Sequence, residues 1–331
     1  MKGRASARFY KTCITYSEMM KKRLFWAFCC MMALSLSAIA QTDDDGLAYF
    51  KERIKTLSSD EFGGRKPLTE YETKTINYIA DEFKKLGLEP ANNGSYFQPV
   101  KEIATFTRPQ GNKIAVKGAK GKTDLQFSDD IVIWTNRGQE KVVIPNTDYV
   151  FVGFGINAPE YNWNDYEGVD VKGKIVIAMV NDPGFYDAKL FRGKNMTYYG
   201  RWTYKHEEAE RQGAAGCLVL HNEAAASYGW KVCQSSHVQN NIGLCDETMN
   251  ASAIAMKGWL AEEACRRIFQ VSGVNFDETI AAAKQPGFKS FTMKAKSKVQ
   301  LNVKMSVGES NNVAAVLPGT DLKDEYLVCT A

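Results

Sequence analysis

The first regular pattern in the chain is helical. Along residues 47–57 the apolar side chains recur every three or four positions, which predicts an amphipathic helix. The apolar residues in question are Leu47, Phe50, Ile54 and Leu57. After the Gly63-Gly64 break, Thr69 and Glu72 stand in capping-box register and open a second helix, which is expected to end at Gly87.

The middle of the chain changes from short strand patterns to longer ones separated by a helix. Between about residue 96 and residue 141 the apolar runs are short and broken by Gly, Asn and Asp, which predicts short strands and turns. Strands are then predicted at Tyr149–Phe154, Ile175–Val180 and Cys217–Leu220, with a helix over 203–212 before the last of them. Strands and a helix at this spacing indicate an α/β module.

Two further helices are predicted before the C-terminal part of the chain. The first is an amphipathic helix whose apolar face is marked by Leu260, Ala264, Cys265, Ile268 and Phe269. Asp277 is expected to cap the second, which is short and ends before Pro286-Gly287.

The clearest alternation of apolar and polar residues lies near the end of the chain. From Val299 to Val307 every second residue is apolar, which predicts a half-exposed strand. Val313–Leu317 is predicted to continue as a strand, and Tyr326–Ala331, apolar throughout its first half, is predicted to be a buried central strand. Because such a strand needs neighbours and covering helices, we expect the last domain to be incomplete.

The charge of the chain is concentrated at its N-terminus. The 331 residues carry a formal charge of +4, but residues 1–40 hold seven basic residues and one acidic residue. The remaining residues have 35 basic and 37 acidic side chains and are close to neutral. A nucleic-acid-binding role therefore lacks the basic surface that it needs, and no nucleic acid is expected as a partner.

Residues 1–40 have the three parts of a secretory signal peptide. Lys21-Lys22-Arg23 forms the basic region, residues 24–36 form the apolar region, and Ala38-Ile39-Ala40 offers small residues for cleavage. We expect cleavage after Ala40 and localisation in the periplasm or outside the cell.

Two alternatives to a cleaved signal are a membrane anchor and a lipidated cysteine. The apolar run is shorter than the ~20 residues that a membrane span needs, so no stable span is expected after cleavage. Lipidation at Cys30 is disfavoured by the bulky Phe28 and Cys29 before it.

Five cysteines follow the predicted signal peptide, and none of their spacings is typical of a zinc site. An odd number in an exported chain leaves at least one thiol unpaired. If a disulfide forms, the pair Cys233–Cys245, which flanks a polar loop, is the favoured one.

Several segments resemble the two-zinc aminopeptidases that carry a protease-associated domain as an insertion. Residues 57–65 and 83–90 resemble the N-terminal helical segment of that family, and residues 149–156 and 170–176 resemble the inserted domain. Tyr199-Gly200-Arg201-Trp202 and Gly213-Ala214-Ala215-Gly216 are similar to its second half, and residues 311–319 to the hairpin that returns to the peptidase sheet.

The resemblance implies a fold and a domain plan. The fold class would be α/β: an incomplete aminopeptidase-type sheet domain interrupted by a β-rich α+β protease-associated domain. The signal peptide would be followed by a helical segment of the peptidase domain at 41–97, the insertion at 98–290, and the first strands of the peptidase domain, truncated, at 291–331.

The same resemblance implies the chemistry of the complete family. Two zinc ions would polarise the scissile carbonyl of a peptide and activate water, with a carboxylate as general base. In the family the zinc ligands and the base follow the strand that Tyr326–Ala331 would form, so this chain is expected to bind no zinc and to contain no catalytic residue. The expected partners are peptide substrates, and the oligomeric state is not predicted.

The chain itself offers little that could replace this centre. Its three histidines are His206, His221 and His237. The segment His206–Glu210 nearly matches a helical H-E-x-x-H zinc motif, but Glu210 replaces the second His, and a charged, solvent-facing side of a helix is the preferred interpretation. We expect His221 to make a local hydrogen bond, and we place His237 in a polar loop without a carboxylate partner.

A group of aromatic residues could line a peptide-binding rim, although packing within the domain is the preferred explanation. The group comprises Tyr161, Trp163, Tyr166, Tyr198, Tyr199, Trp202 and Trp230. The alternatives to an aminopeptidase portion are a non-catalytic, receptor-like protein built around the protease-associated domain and a carbohydrate-binding or structural surface protein.

Overall fold

The computed structural model describes residues 43–237 and 240–330, so the predicted signal peptide lies outside the described residues. Within the described part, the contacts divide the chain into two compact units, one ending at Glu82 and one beginning at Phe83. No helix in the described ranges is both long enough and apolar enough to cross a bilayer.

The first unit is helical, as predicted. It contains helix α1 (Asp43–Leu57), a 3₁₀ segment (Asp60–Arg65) and most of helix α2 (Glu70–Lys85). Gly63 and Gly64 have φ angles of 48° and 77°, and a Cβ at Gly63 would collide with the ring of Tyr71. Glycine is therefore required where the chain reverses between the helices.

The second unit is built on a mixed ten-stranded sheet. The strands described in this unit are β1 (Glu89–Pro90), β2 (Phe97–Pro109), β3 (Lys113–Gly118), β4 (Gly121–Gln126), β5 (Ile131–Trp134), β6 (Lys141–Phe151), β7 (Asn157–Ala158), β8 (Trp163–Asn164), β9 (Ile175–Met179), β10 (Gly216–His221), β11 (Asn241–Leu244), β12 (Met256–Ala261), β13 (Phe291–Val313) and β14 (Ala315–Val316). Outside the ten-stranded sheet, β1 pairs with β14 and β7 pairs with β8. The main sheet runs in the order β11-β2-β13-β6-β9-β10-β12-β5, with β3 paired to β13 and β4 to β3.

Four neighbouring strands of this sheet, β6, β9, β10 and β12, are parallel. Ile175, Ile177 and Met179 of β9 face one buried cluster, whereas Val176 and Ala178 face the other. Burial on both faces explains why β9 is apolar at every position and β10 has no polar side chain before His221, and it confirms the strands predicted there.

Five helices accompany the sheet within residues 202–283. They are α3 (Trp202–Arg211), α4 (Glu223–Ala226), α5 (Trp230–His237), α6 (Glu262–Ser272) and α7 (Phe276–Ala283). The helix predicted over 203–212 is confirmed as α3.

Two helix boundaries differ from the prediction. Leu260 belongs to strand β12, because its backbone pairs with Ile131 of β5, and helix α6 begins only at Glu262. Asn275, not Asp277, caps α7, since its side chain accepts a hydrogen bond from the Glu278 amide (3.2 Å). A capping side chain precedes the first helical residue, and Asp277 already lies within the first turn.

Strand β13 confirms the predicted alternation only in part. Val299, Leu301 and Val303 are buried, but Met305 and Val307 on the same face are exposed. The strand is also much longer than predicted and pairs with β2 from Leu301 to Val313. Strand β11 still pairs with β2 at Glu102–Thr105, opposite Met305–Gly308 of β13, so only the last part of β13, from Glu309 to Val313, forms a two-stranded ribbon with β2.

The described part of the apolar run predicted as a buried strand, residues 326–330, does not form that strand. Residues 326–330 have no regular secondary structure, and Leu327 is 93% exposed. A strand exists only where neighbouring backbone groups accept and donate its hydrogen bonds, and no described residue pairs with this run.

The point where the chain enters the sheet of the second unit lies next to the point where it leaves. Phe97, the first residue of β2, is paired with Val313, the last residue of β13. Just before β2 and just after β13 in the chain, Pro90 of β1 pairs with Ala315 of β14. The segment between residues 97 and 313 therefore starts and finishes at the same place.

The packing of the core in the second unit leads to a prediction about stability. Phe151 is fully buried and meets the ring of Phe269 edge to face at 5.3 Å. We expect Phe151→Ala to lower the free energy of unfolding by about 3–5 kcal/mol, measured by urea denaturation, because the lost ring leaves a cavity. On the same strand, Val143→Ala should cost less than about 1 kcal/mol, since Val143 is 44% exposed. Equal losses in the two variants would contradict this assignment of the core.

Candidate functional site

The near-match to a helical zinc motif lies on a half-buried helix, so the prediction of a charged, solvent-facing side holds for Glu207 and Glu210 but not for His206 and Glu208. Lys205, His206 and Glu208 are all buried on α3. His206 Nε2 lies 3.3 Å from the carbonyl oxygen of Gly258, and its ring meets Trp134 edge to face at 5.3 Å. The helix is enclosed because strands pack on one side of it and the loop 181–200 lies on another, an arrangement that spacing alone does not reveal.

Of the other two histidines, only the side chain of His221 is described, and it makes a local contact. His221 Nε2 lies 3.0 Å from the carbonyl oxygen of Tyr228, which is the local hydrogen bond that the sequence predicts. His237 is the last residue of α5 and not part of a loop. Glu210 is partly exposed, and its carboxylate lies 3.9 Å from the Lys257 ammonium.

The predicted aromatic group is largely a packing cluster. Tyr161 stacks on Phe191 at 4.4 Å, and Trp163 meets the same ring edge to face at 5.7 Å. Tyr198 is the exception, because it is 58% exposed and donates its hydroxyl to Glu207. Most of the group therefore stabilises the loop 181–200 and does not form a rim.

Lys205 is a fully buried lysine at the centre of this region. Its ammonium donates to the carbonyl oxygen of Tyr199 (2.5 Å). Burial lowers the pKa of Lys205, and the carboxylates of Asp165 and Asp182 act in the opposite direction. Burial likewise raises the pKa of Asp165, which accepts a hydrogen bond from the Ile156 amide (3.0 Å).

Asp182 fixes the loop that follows β9. One carboxylate oxygen accepts from the Gly184 amide (3.0 Å), and the other accepts from the amide and the hydroxyl of Thr197 (2.8 and 2.7 Å). Both ends of the loop are thus held by one buried side chain. This arrangement positions Phe185 and Tyr186 near the ends of the parallel strands.

A crevice of about 260 Å³ lies where the parallel strands β9, β10 and β12 end. In α/β sheets the carboxyl ends of parallel strands are the usual place for a binding site. Met179 ends β9, Leu220 lies near the end of β10, and Glu262 follows β12. Phe276 and Ile280 of α7 complete the apolar part of the lining.

Charged side chains surround the mouth of this crevice. Arg266 donates to Glu262 (3.0 Å) and to Asp277 (2.9 Å), and Asn222 donates to the second oxygen of Glu262 (3.0 Å). The Lys284 ammonium lies 4.3 Å from the centre of the Tyr186 ring. Burial raises the pKa of Tyr186, and the nearby Glu262 carboxylate adds to this effect. The crevice therefore combines an apolar floor with charges of both signs.

The described residues do not provide a ligand set for zinc. Across residues 43–237 and 240–330, no three or more His, Cys, Asp or Glu side chains are grouped so that they could hold a metal ion. The cysteines described there, including Cys233 and Cys245, are free thiols, so the favoured disulfide is not formed.

Sequence reasoning did not identify the crevice. Its polar residues lie on or next to α4, α6 and α7, where the sequence predicted only the apolar face of α6 and a capping role for Asp277. The available signal was positional, because Met179 and Leu220 stand at the ends of the predicted strands Ile175–Val180 and Cys217–Leu220. Glu262 gave no such signal, since strand β12 before it was not predicted.

Comparison with known proteins gives distant structural likenesses only. No protein-family model and no curated protein matches the chain. The chain is similar to an aminopeptidase from Aneurinibacillus sp. strain AM-1, with 19% identity, a TM-score of 0.31, and 77% of this chain and 45% of that chain covered. It is also similar to BSAP, a zinc aminopeptidase from Bacillus subtilis, with 15% identity, a TM-score of 0.31, and 82% and 46% covered.

The chain spans less than half the length of either structure. At TM-scores this low, neither likeness establishes the activity of this chain.

The buried lysine gives a prediction about stability. We expect Lys205→Met to lower the free energy of unfolding by about 3–5 kcal/mol, because it leaves buried carboxylates without a cation and the Tyr199 carbonyl without its donor. Urea denaturation near pH 7 measures the change. Lys289→Met serves as the control, since Lys289 is exposed and pairs only with the exposed Glu167. A Lys205→Met variant as stable as the parent would contradict the assigned role.

His221 gives a prediction about pH. Burial lowers the pKa of His221 from its ordinary value of 6.5. A histidine with a lower pKa in the folded state adds stability above the unfolded pKa, and this contribution is lost as the pH falls through the folded pKa. Between about pH 7 and about pH 5, the free energy of unfolding should therefore fall more steeply for the parent than for His221→Gln. Identical slopes would show that His221 is not the group that titrates.

Proposed function

We infer that the chain is the N-terminal portion of an exported zinc-dependent aminopeptidase, which removes N-terminal residues from peptides. In this proposal residues 1–40 are a cleaved signal peptide, residues 41–97 and the residues after Val313 belong to the peptidase domain, and residues 98–313 form an inserted protease-associated domain. The sequence-based boundary at residue 290 is moved to Val313 because β13 (Phe291–Val313) pairs with β2 and β6 of the same sheet. The zinc ligands and the general base would lie after Ala331. The chain as it stands would then hydrolyse nothing.

The adjacent entry and exit of the second unit carry this proposal. A domain can be inserted into a host sheet only if its two ends lie close together. The pairs Phe97–Val313 and Pro90–Ala315 bring the ends together. The insertion would therefore leave the surrounding peptidase sheet continuous.

The segments that resemble the family provide a second support. They occur in the family's order along the chain, and two of them are neighbours in space, because Tyr149–Phe151 pairs in parallel with Ile175–Ile177. Each segment alone has little specificity, and the proposal relies on their combination.

A non-catalytic binding protein is the second candidate. The observation in its favour is the crevice at the ends of β9, β10 and β12, which would serve a binding role without any metal. The presence or absence of a zinc centre in the natural protein separates the two candidates.

The test compares the natural protein with the 331-residue chain. Antibodies against the chain would recover the natural protein from the cell envelope and the medium of its source cell. We expect a species clearly heavier than the 37.0 kDa chain that contains zinc and hydrolyses aminoacyl p-nitroanilides. A zinc chelator should abolish the activity, and added zinc should restore it.

The chain expressed alone is the matched control, and we expect it to show neither tight zinc binding nor hydrolysis. Chelator-sensitive hydrolysis by the chain alone would overturn the assignment of the zinc centre to later residues. A natural protein that contains no zinc and is inactive would favour the binding protein.

A further inference from the structure

We propose that the crevice at the ends of β9, β10 and β12 binds a free amino acid with an apolar side chain, in its zwitterionic form. This proposal does not depend on the aminopeptidase assignment, because a binding protein could use the same crevice. It rests on the volume of the crevice, on its apolar floor and on the two kinds of charge at its mouth.

The floor and the volume fit one apolar side chain. Met179, Leu220, Phe276 and Ile280 supply hydrocarbon surface. The volume of about 260 Å³ exceeds the roughly 150 Å³ in which an engineered apolar cavity of another protein holds benzene. A single amino-acid side chain of moderate size therefore fits.

Lys284 provides the site for the ligand's carboxylate. Its ammonium is half-buried and packs over the Tyr186 ring at 4.3 Å, a contact that holds it at the mouth of the crevice. None of the ion pairs among the described residues involves Lys284. A carboxylate at this position would form a charge-assisted hydrogen bond with it.

Asp277 provides the site for the ligand's ammonium group. Its Oδ1 accepts from Arg266 (2.9 Å), and its side chain is exposed enough for Oδ2 to accept from a ligand. Asp277 and Lys284 are seven residues apart on the α7 segment, so they lie on the same side of it, two turns apart. The two charges of an amino acid would be held between them, with the side chain on the apolar floor.

The test titrates leucine into the full chain and follows it by isothermal calorimetry and by protein NMR. We expect saturable binding at one site, with glycine at least tenfold weaker because it lacks the apolar side chain. Leucinamide, which has no carboxylate, and 4-methylpentanoate, which has no ammonium group, should each bind about tenfold more weakly than leucine.

Variants of the crevice assign each contact. Lys284→Gln should weaken leucine about tenfold and leave leucinamide unchanged, whereas Lys289→Gln, outside the crevice, should change neither. Ile280→Trp should abolish binding by filling the floor. Circular dichroism shows whether each variant is folded, and the ligand pair leucine and leucinamide separates a lost contact from a lost fold.

Three results would overturn the proposal: no saturable binding of leucine, equal binding of leucine and glycine, or unchanged leucine binding in a folded Lys284→Gln. Tighter binding of leucine-containing tripeptides than of leucine would also overturn it, in favour of a peptide segment as the occupant.

Discussion

Burial of the parallel strands on both faces is the constraint on which the second unit depends. Strands β9 and β10 have no polar face, so each needs hydrogen-bonded neighbours and a cover on both sides. The short helices after β10 contribute to one of the two clusters, α6 and α7 contribute to the other, and α3 contributes to both through Tyr204 and Ala209. Because β9, β10 and β12 are parallel, their carboxyl ends lie at the same edge of the sheet. The crevice lies at this edge, where the chain leaves each strand.

Buried charged side chains fix the conformation of the loop that follows β9, at the carboxyl ends of the parallel strands. Asp182 accepts hydrogen bonds from the amides of Gly184 and Thr197 at the two ends of the loop, and Lys205 donates to the Tyr199 carbonyl oxygen. Burying a charged side chain costs free energy because water is removed from it, and hydrogen-bond partners at fixed positions offset this cost. The result is a loop of defined shape that carries Phe185 and Tyr186 to the crevice.

The ribbon formed by β2 and β13 has a different role from the parallel strands. The inner part of β13 packs on the core, whereas Met305 and Val307, which continue its apolar face, are 36% and 43% exposed. The ribbon ends at the point where the chain enters and leaves, and the short β1–β14 pair follows there. An insertion into a larger domain would use this end, whereas the amino-acid site proposed above lies at the carboxyl edge of β9, β10 and β12.

Local pattern was sufficient to predict the helices of the first unit, strands β9 and β10, helix α3 and the alternation in β13. These elements are dictated by hydrophobic periodicity and by glycine at turns, both of which act over a few neighbouring residues. Tertiary structure alone decided that Lys205, His206 and Glu208 are buried, that Leu260 is in a strand, and that the apolar run from Tyr326 is unpaired. Burial and strand pairing depend on which distant segment lies alongside, and that choice follows from the packing of the whole unit, which no local window contains.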